Sequence, residues 1–261
     1  MLSANTPNSL SGTRVYFTDP GLVTDSALIA ELTSWLDAHE RARMQRFVHA
    51  HDQHLFLISH ALTRKTLGQI MHLHPRKLVF QRTDRGKPLL DPVKHPSAPQ
   101  FNLTHTAGLA AIAISHSDVG VDAETVLRNG TEMDVASRFF SRHEVQDIAA
   151  RPLAEHARRF LTYWTLKEAF LKAEGWGLVD DLDQFEFHIE ESNALLRVAI
   201  ALHVKHPKMM PTRPWQFWTT SIGESHILSA ACCHLPDSDC RLSSMSDVFI
   251  CHSVDHGDWT R

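Results

Sequence analysis

Two stretches about forty residues apart, Gly120-Val121-Asp122-Ala123-Glu124 and Trp164-Thr165-Leu166-Lys167-Glu168-Ala169-Phe170-Leu171-Lys172-Ala173-Glu174-Gly175, hold four carboxylates and two lysines, of which Asp122, Glu124, Glu168, Lys167 and Lys172 fall in regular settings. If residues 119–124 form a strand, its period of two puts Val121 and Ala123 on one face and Asp122 and Glu124 on the other. In the second stretch Tyr163, Leu166, Phe170 and Ala173 recur at helical spacing, while Glu168 and Lys172, four apart, share a different face. A fold that uses these groups together must lay that strand against a helix from forty residues later. Neighbouring carboxylates repel, and either a bound cation or open solvent relieves them. An isolated i,i+4 Glu–Lys pair is an ordinary surface ion pair worth about 0.3–0.5 kcal/mol. Combined, three carboxylates suit a hard ion such as Mg²⁺, which completes its shell with water and substrate phosphates. The lysines, Lys167 and Lys172, then meet the remaining phosphate charge.

The rest of the sequence bounds the setting. A chain of 261 residues with 43% apolar and 21% charged content is of globular type, large enough for one big domain or two ordinary ones. Residues 1–13 lack the basic and apolar regions of a signal peptide, and no apolar run approaches a membrane span, so a cytoplasmic enzyme without a membrane partner is expected. The net charge of −4 disfavours a nucleic-acid partner. Three local arginine clusters stand out: Arg41, Arg43 and Arg46; Arg138 and Arg142; Arg158 and Arg159. Cys232, Cys233, Cys240 and Cys251 all fall near the C-terminus without zinc-ligand spacing and are expected as thiols. The 19 histidines show no metal-site pattern along the sequence.

Patterning predicts an α+β fold. A strand is expected over 14–18, helices over 25–37, 39–48 and 51–68, a strand at 78–80, and strands at 101–103 and 109–115 around a loop at 104–108. After a third strand at 119–124 come helical segments near 133–150 and 154–174, then strands near 184–190, 194–201, 214–221 and 226–234. Two α/β halves of similar make-up are therefore expected, residues 1–117 and 118–238, followed by an irregular tail over 239–261.

With these residues in place, the chain resembles the 4′-phosphopantetheinyl transferases. Gly120 to Glu124 and Trp164-x-x-Lys167-Glu168-Ala169-x-x-Lys172-x-x-Gly175 are similar to that family's two signature motifs. Arg85-Gly86-Lys87-Pro88, Phe101-Asn102-Leu103-Thr104-His105-Thr106 and Arg138-Phe139-Phe140 are similar to three further elements, all five in family order over about 90 residues. The match is strongest to the large, monomeric type, which implies two similar halves related by a pseudo-twofold axis, each a small, mostly antiparallel sheet packed on a long helix. It also implies transfer of the phosphopantetheine arm of coenzyme A to a serine of an apo acyl, peptidyl or aryl carrier protein, releasing adenosine 3′,5′-bisphosphate, with Mg²⁺. By position in the motifs, Asp122, Glu124 and Glu168 correspond to metal ligands. Glu168 is the candidate proton acceptor and Lys172 the group that answers the leaving phosphate. Thr104, His105 and Lys87 correspond to coenzyme A contacts, and Arg43 to a basic residue at the 3′-phosphate. Lys167, one residue off the Glu168 face, is expected to reach the diphosphate from the side. Thr104 and Thr106 replace the usual serines but keep the hydroxyl, and Ala123 replaces a bulkier residue.

Two other functions share part of this pattern. Metal-dependent nucleases of the PD-(D/E)xK kind also combine Asp-x-Glu with Glu and Lys. Their Glu-x-Lys lies on a strand, whereas residues 168 and 172 are four apart in a helix. A carrier-binding module that kept the fold and lost the reaction would have little reason to retain all three carboxylates and Lys172.

Overall fold

The computed structural model describes residues 12–126, 130–176, 182–192, 195–201, 213–233 and 249–259. The first half opens with strand β1 (Thr13–Thr18) and helices α1 (Ser26–Trp35), α2 (Ala38–Met44) and α3 (Ala50–Met71). Helix α1 starts at Asp25, whose carboxylate accepts from the Leu28 N–H, and α2 starts on a capping box between Asp37 and Glu40. Helix α3 runs past the expected stop at Gly68 and ends at His72, which takes the left-handed conformation at φ 54°. Two short strands follow, β2 (Phe80–Arg82) and β3 (Pro88–Leu90), paired across the Gly86 turn. Strands β4 (Gln100–Thr106) and β5 (Leu109–Ser115) form a hairpin. The expected loop at 104–108 is thus cut to two residues, because Thr104, His105 and Thr106 belong to β4.

In the second half come β6 (Val119–Thr125), α4 (Glu132–Phe139), α5 (Arg142–Ala149) and α6 (His156–Glu174). The helix expected over 133–150 is broken at Phe140, since Ser141 and Glu144 make a capping box that starts α5. Strands β7 (Glu186–Ser192) and β8 (Leu195–Ala201) form a hairpin, and β9 (Trp215–Ile222) and β10 (His226–Cys233) another. The chain then contributes β11 (Phe249–Ser253).

Two sheets carry the fold: β11-β1-β5-β4, antiparallel except for the parallel β11–β1 pair, and antiparallel β6-β10-β9. They pack face to face. Ala111 and Ala113 of β5 meet Val119, Val121 and Ala123 of β6 and Leu228 and Ala230 of β10, while Ile112 and Ile114 on the opposite face of β5 pack under α1 and α3. Strand β5 is therefore buried on both faces, which explains its uninterrupted apolar sequence. The layers run α3, first sheet, second sheet, α6. Each half pairs one long helix with one small sheet. The expected pseudo-twofold relation goes no further here than this plan, since the sheets differ in strand number and one recruits a distant strand.

The part of the expected irregular tail that is described is ordered. Strand β11 aligns with β1 from Thr13↔Phe249 to Phe17↔Ser253, the Val254 N–H donates to the Phe17 carbonyl at 2.8 Å, and Trp259 is buried in the first core. That half is also held by a buried ionic cluster. Arg64, 1% exposed, reaches Glu40 at 2.6 Å and Asp37 at 3.0 Å, and His60 meets Glu40 at 2.9 Å.

Candidate active site

Among the described residues strand β6 lies at the edge of its sheet, so on one side it has no strand partner within that sheet. Side chains from β4 cover that side. Asn102 accepts from the Val121 N–H through its amide oxygen at 3.0 Å, Thr104 donates to Asp122 at 3.2 Å, and Thr106 and Thr125 hydroxyls meet at 3.1 Å. These three β4 residues alternate, so one strand face stitches the two halves together. Asn102 was legible only as a motif letter; its task is to satisfy a buried backbone donor.

Across β6 lies α6. Gly120 leaves room for the helix at Ala169 and Ala173, and the Thr165 hydroxyl meets Ser229 of β10 at 2.7 Å. The helix therefore seats close to the strand, with Tyr163, Leu166, Phe170 and Ala173 buried as the spacing predicts. Glu168 and Lys172 sit half-buried along its edge. Lys172 Nζ lies 2.6 Å from Asp122 Oδ1, and 3.4 Å from both Thr104 Oγ1 and the Val121 carbonyl.

Asp122, Glu124 and Glu168 are close enough to alter one another's charge. Burial, the Asp122 charge and, to a smaller extent, Glu168 push Glu124 up to about 7 against the opposing pull of Lys172. Burial and Asp122 also raise Glu168. Asp122 is 4% exposed, and its Oδ2 is buried without a hydrogen-bond partner. One lysine thus faces three carboxylates, with one buried oxygen still unsatisfied. Such a set of oxygen donors fits a hard divalent cation.

On the first-half side, His105 opens to solvent while surrounding protein and the charges of His60, Lys172 and Arg43 hold its imidazole below the ordinary value. Arg43 is exposed, with its guanidinium 5.7 Å from the Phe56 ring centre; partial burial and the neighbouring Arg82 charge lower its pKa. Arg43 and Lys172 thus place positive charge near His105, and Arg82 adds to it beside Arg43. Lys87 lies elsewhere on the seam. Its ammonium donates to the Ala173 carbonyl at 2.9 Å and the Val119 carbonyl at 3.4 Å, and burial lowers its pKa. It lines a cavity of about 600 Å³ with Arg85, Asp118, Glu174 and Gly175.

Lys167 corrects the sequence reading. It is fully buried, pairs with Glu144 at 2.9 Å, and donates to the carbonyls of Leu182 and Phe185 at 2.8 and 2.7 Å. Its position one residue off the Glu168 face turns it into the second core, among Phe140, Phe185 and Phe187, rather than toward any diphosphate. The third arginine cluster is likewise engaged: Arg158 donates to Ser221 and the Glu224 carbonyl, and buried Arg159 pairs with Asp147.

Residues 118–230 match the model of the 4′-phosphopantetheinyl transferase superfamily, and residues 25–117 match that of the 4′-phosphopantetheinyl transferase N-terminal region. The chain is 30% identical to 4′-phosphopantetheinyl transferase ffp of Bacillus subtilis, over 71% of this chain and 81% of that protein. It is 29% identical to 4′-phosphopantetheinyl transferase Sfp of Bacillus subtilis strain 168, over 66% and 74%. It is also 29% identical to 4′-phosphopantetheinyl transferase HetI of Nostoc, over 71% and 73%.

Proposed function

The chain belongs to the 4′-phosphopantetheinyl transferase superfamily, and we propose that it moves the phosphopantetheine arm of coenzyme A onto a serine of an apo carrier protein. The observation that carries this reading is the meeting of Asp122, Glu124, Glu168 and Lys172 where α6 seats on β6, with one buried Asp122 oxygen unsatisfied.

In this reaction the serine oxygen forms a bond to the pantetheine-side phosphorus as that phosphorus loses its bridging oxygen. Adenosine 3′,5′-bisphosphate departs with the bridging oxygen. Glu168 accepts the serine proton, a step that a carboxylate within reach of the attacking hydroxyl can perform. Lys172 donates to the departing phosphate oxygen, a role suited to a compact ammonium. Thr104 and Asp122 hold Lys172 in place. Arg43 and His105 bind the nucleotide phosphates. Asp122, Glu124 and Glu168 would hold Mg²⁺, which when bound neutralises charge developing on the diphosphate.

Acyl, peptidyl and aryl carriers are all candidate partners, in a cytoplasmic, monomeric enzyme. Among the described residues no helix is long and apolar enough to cross a membrane. The test is mass spectrometry of apo carriers from fatty-acid, polyketide and peptide systems incubated in parallel with coenzyme A, this protein and Mg²⁺. A gain of the phosphopantetheine mass that chelator abolishes is expected. No gain on any of the three would overturn the reading.

A further inference from the structure

We propose that His143, Glu186 and His188 form a second cation site, chemically unlike the carboxylate cluster and suited to a borderline transition ion such as Zn²⁺. The three side chains come from α5 and β7. Glu186 and His188 are two apart on β7 and share one face of the strand. His143, in the first turn of α5, stands opposite, its ring centre 4.2 Å from that of His188. One ligand atom from each lies within 4.8 Å of the other two, and His188 Nε2 is 2.7 Å from Glu186 Oε1.

Donor chemistry selects the ion. Two imidazoles and one carboxylate match the ligands of zinc, whereas Mg²⁺ takes oxygen. Around a four-coordinate zinc, with bonds of about 2.0–2.2 Å, ligand atoms sit roughly 3.4 Å apart. Glu186 and His188 would open slightly to admit the ion, and His143, which is exposed, would move in by about an ångström. The backbone beneath is already fixed. Glu144, beside His143, accepts from the Phe187 N–H at 2.9 Å and pairs with Lys167 of α6. Glu186 is itself buried, and the exposed His143 and half-exposed His188 leave a way in from solvent. An ion here would clamp α5 to β7 around the Lys167–Glu144 pair and so brace the helix that carries Glu168 and Lys172. A stabilising site is therefore inferred, with no part in the reaction.

The competing account of the same geometry is a hydrogen bond between His188 and Glu186, with the His143 ring tilted against His188. Titrating Zn²⁺ into the full chain, with millimolar Mg²⁺ present to occupy the carboxylate cluster, separates the two. Expected are one saturable zinc equivalent, a higher melting temperature on loading, and at least tenfold weaker binding in each of His143→Gln and His188→Gln. An anomalous diffraction peak between the three side chains in zinc-soaked crystals would locate the ion. The proposal fails if zinc binds the double variant as tightly as the parent, if it leaves melting unchanged, or if the peak lies only elsewhere. His143→Gln alters an exposed side chain, so it remains informative even if His188→Gln folds poorly. Transferase turnover does not enter the readout, and the outcome is independent of the proposed reaction.

Discussion

A Cβ built on Gly120 would lie 1.9 Å from the carbonyl oxygen of Ala169 and 2.6 Å from the amide nitrogen of Ala173. The obstructing atoms are backbone, so no side-chain rotation can relieve the clash. The distance between strand β6 and helix α6, and with it the position of Lys172 over Asp122, depends on a missing methyl group. Gly120→Ala is expected to cost more than the roughly 1–3 kcal/mol usual for overpacking. It should reduce soluble, folded protein sharply, as measured by denaturant unfolding. Gly257→Ala, where nothing lies within 4 Å, serves as the control.

Lys167 and Lys172 should separate stability from chemistry. Lys167→Met strands the fully buried Glu144 carboxylate, at a cost of about 3–5 kcal/mol, and adding Glu144→Leu should restore most of it. Lys172→Met should lower kcat by roughly 10²-fold or more, the scale of losing one preorganised donor, with a smaller loss of stability. Urea melts and kcat measured on the same three variants test both statements. Equal stability loss at the two lysines would contradict the assignment.

Asp122→Asn keeps the shape of the side chain while removing the charge that raises Glu124 and Glu168. The chelator-treated variant is expected to be at least as stable as the chelator-treated parent. The parent should gain melting temperature when Mg²⁺ is restored and the variant should not. Turnover should fall by roughly 10²–10³-fold. Paired thermal melts with chelator and with Mg²⁺ check the first two outcomes without reference to activity.

Arg43 is assigned to the nucleotide 3′-phosphate, so its effect should depend on that phosphate. Wild-type protein is expected to prefer coenzyme A over 3′-dephospho-coenzyme A by about tenfold or more in kcat/KM, equivalent to about 1.4 kcal/mol. Arg43→Ala should show the same low value with both. A preference that survives the substitution would place the 3′-phosphate elsewhere.

Acid should weaken the first half through Glu40. Burial pushes this carboxyl up, but hydrogen bonds and charge from His60 and Arg64 outweigh burial and bring it down to about 2 from an ordinary 4.5. A carboxylate with a depressed folded-state pKa contributes stability that is complete above its unfolded value. That stability is lost as pH falls through the folded one. The contribution, about 3 kcal/mol, is therefore expected to be intact above pH 4.5 and to disappear between 4.5 and about 2. Glu40→Gln should flatten the stability-against-pH curve within that window, as followed by urea unfolding at successive pH values.

The strand carrying Asp122 and Glu124 and the helix carrying Glu168 and Lys172 were legible because each reports itself by local period. The Lys172–Asp122 contact was not, because it depends on how closely α6 seats on β6. Lys167 was misread because a lysine beside a signature glutamate looks like an active-site cation. Its true partner, Glu144, lies on another helix and is reachable only through tertiary packing. The His143–Glu186–His188 group was invisible for the same reason, its ligands being split between α5 and β7. Asn102 and Gly120 stood in the motifs without a reason; each answers a demand of the seam, an unpaired strand edge and a close helix. Strand β11 escaped because its pairing partner is at the other end of the chain and its flanking residues are polar.

That last pairing sets an order of events during synthesis. Thr18 and the Val254 carbonyl it donates to are 236 residues apart. At about 5–20 residues per second a ribosome needs roughly 12–47 s to make the intervening chain. Until then β1 has an open edge and Trp259 is missing from the first core, so the amino-terminal half emerges first and is completed last. Ribosome-bound chains stalled before residue 249 should therefore be cleaved by protease within the earliest-made segment, and release of the final residues should protect it.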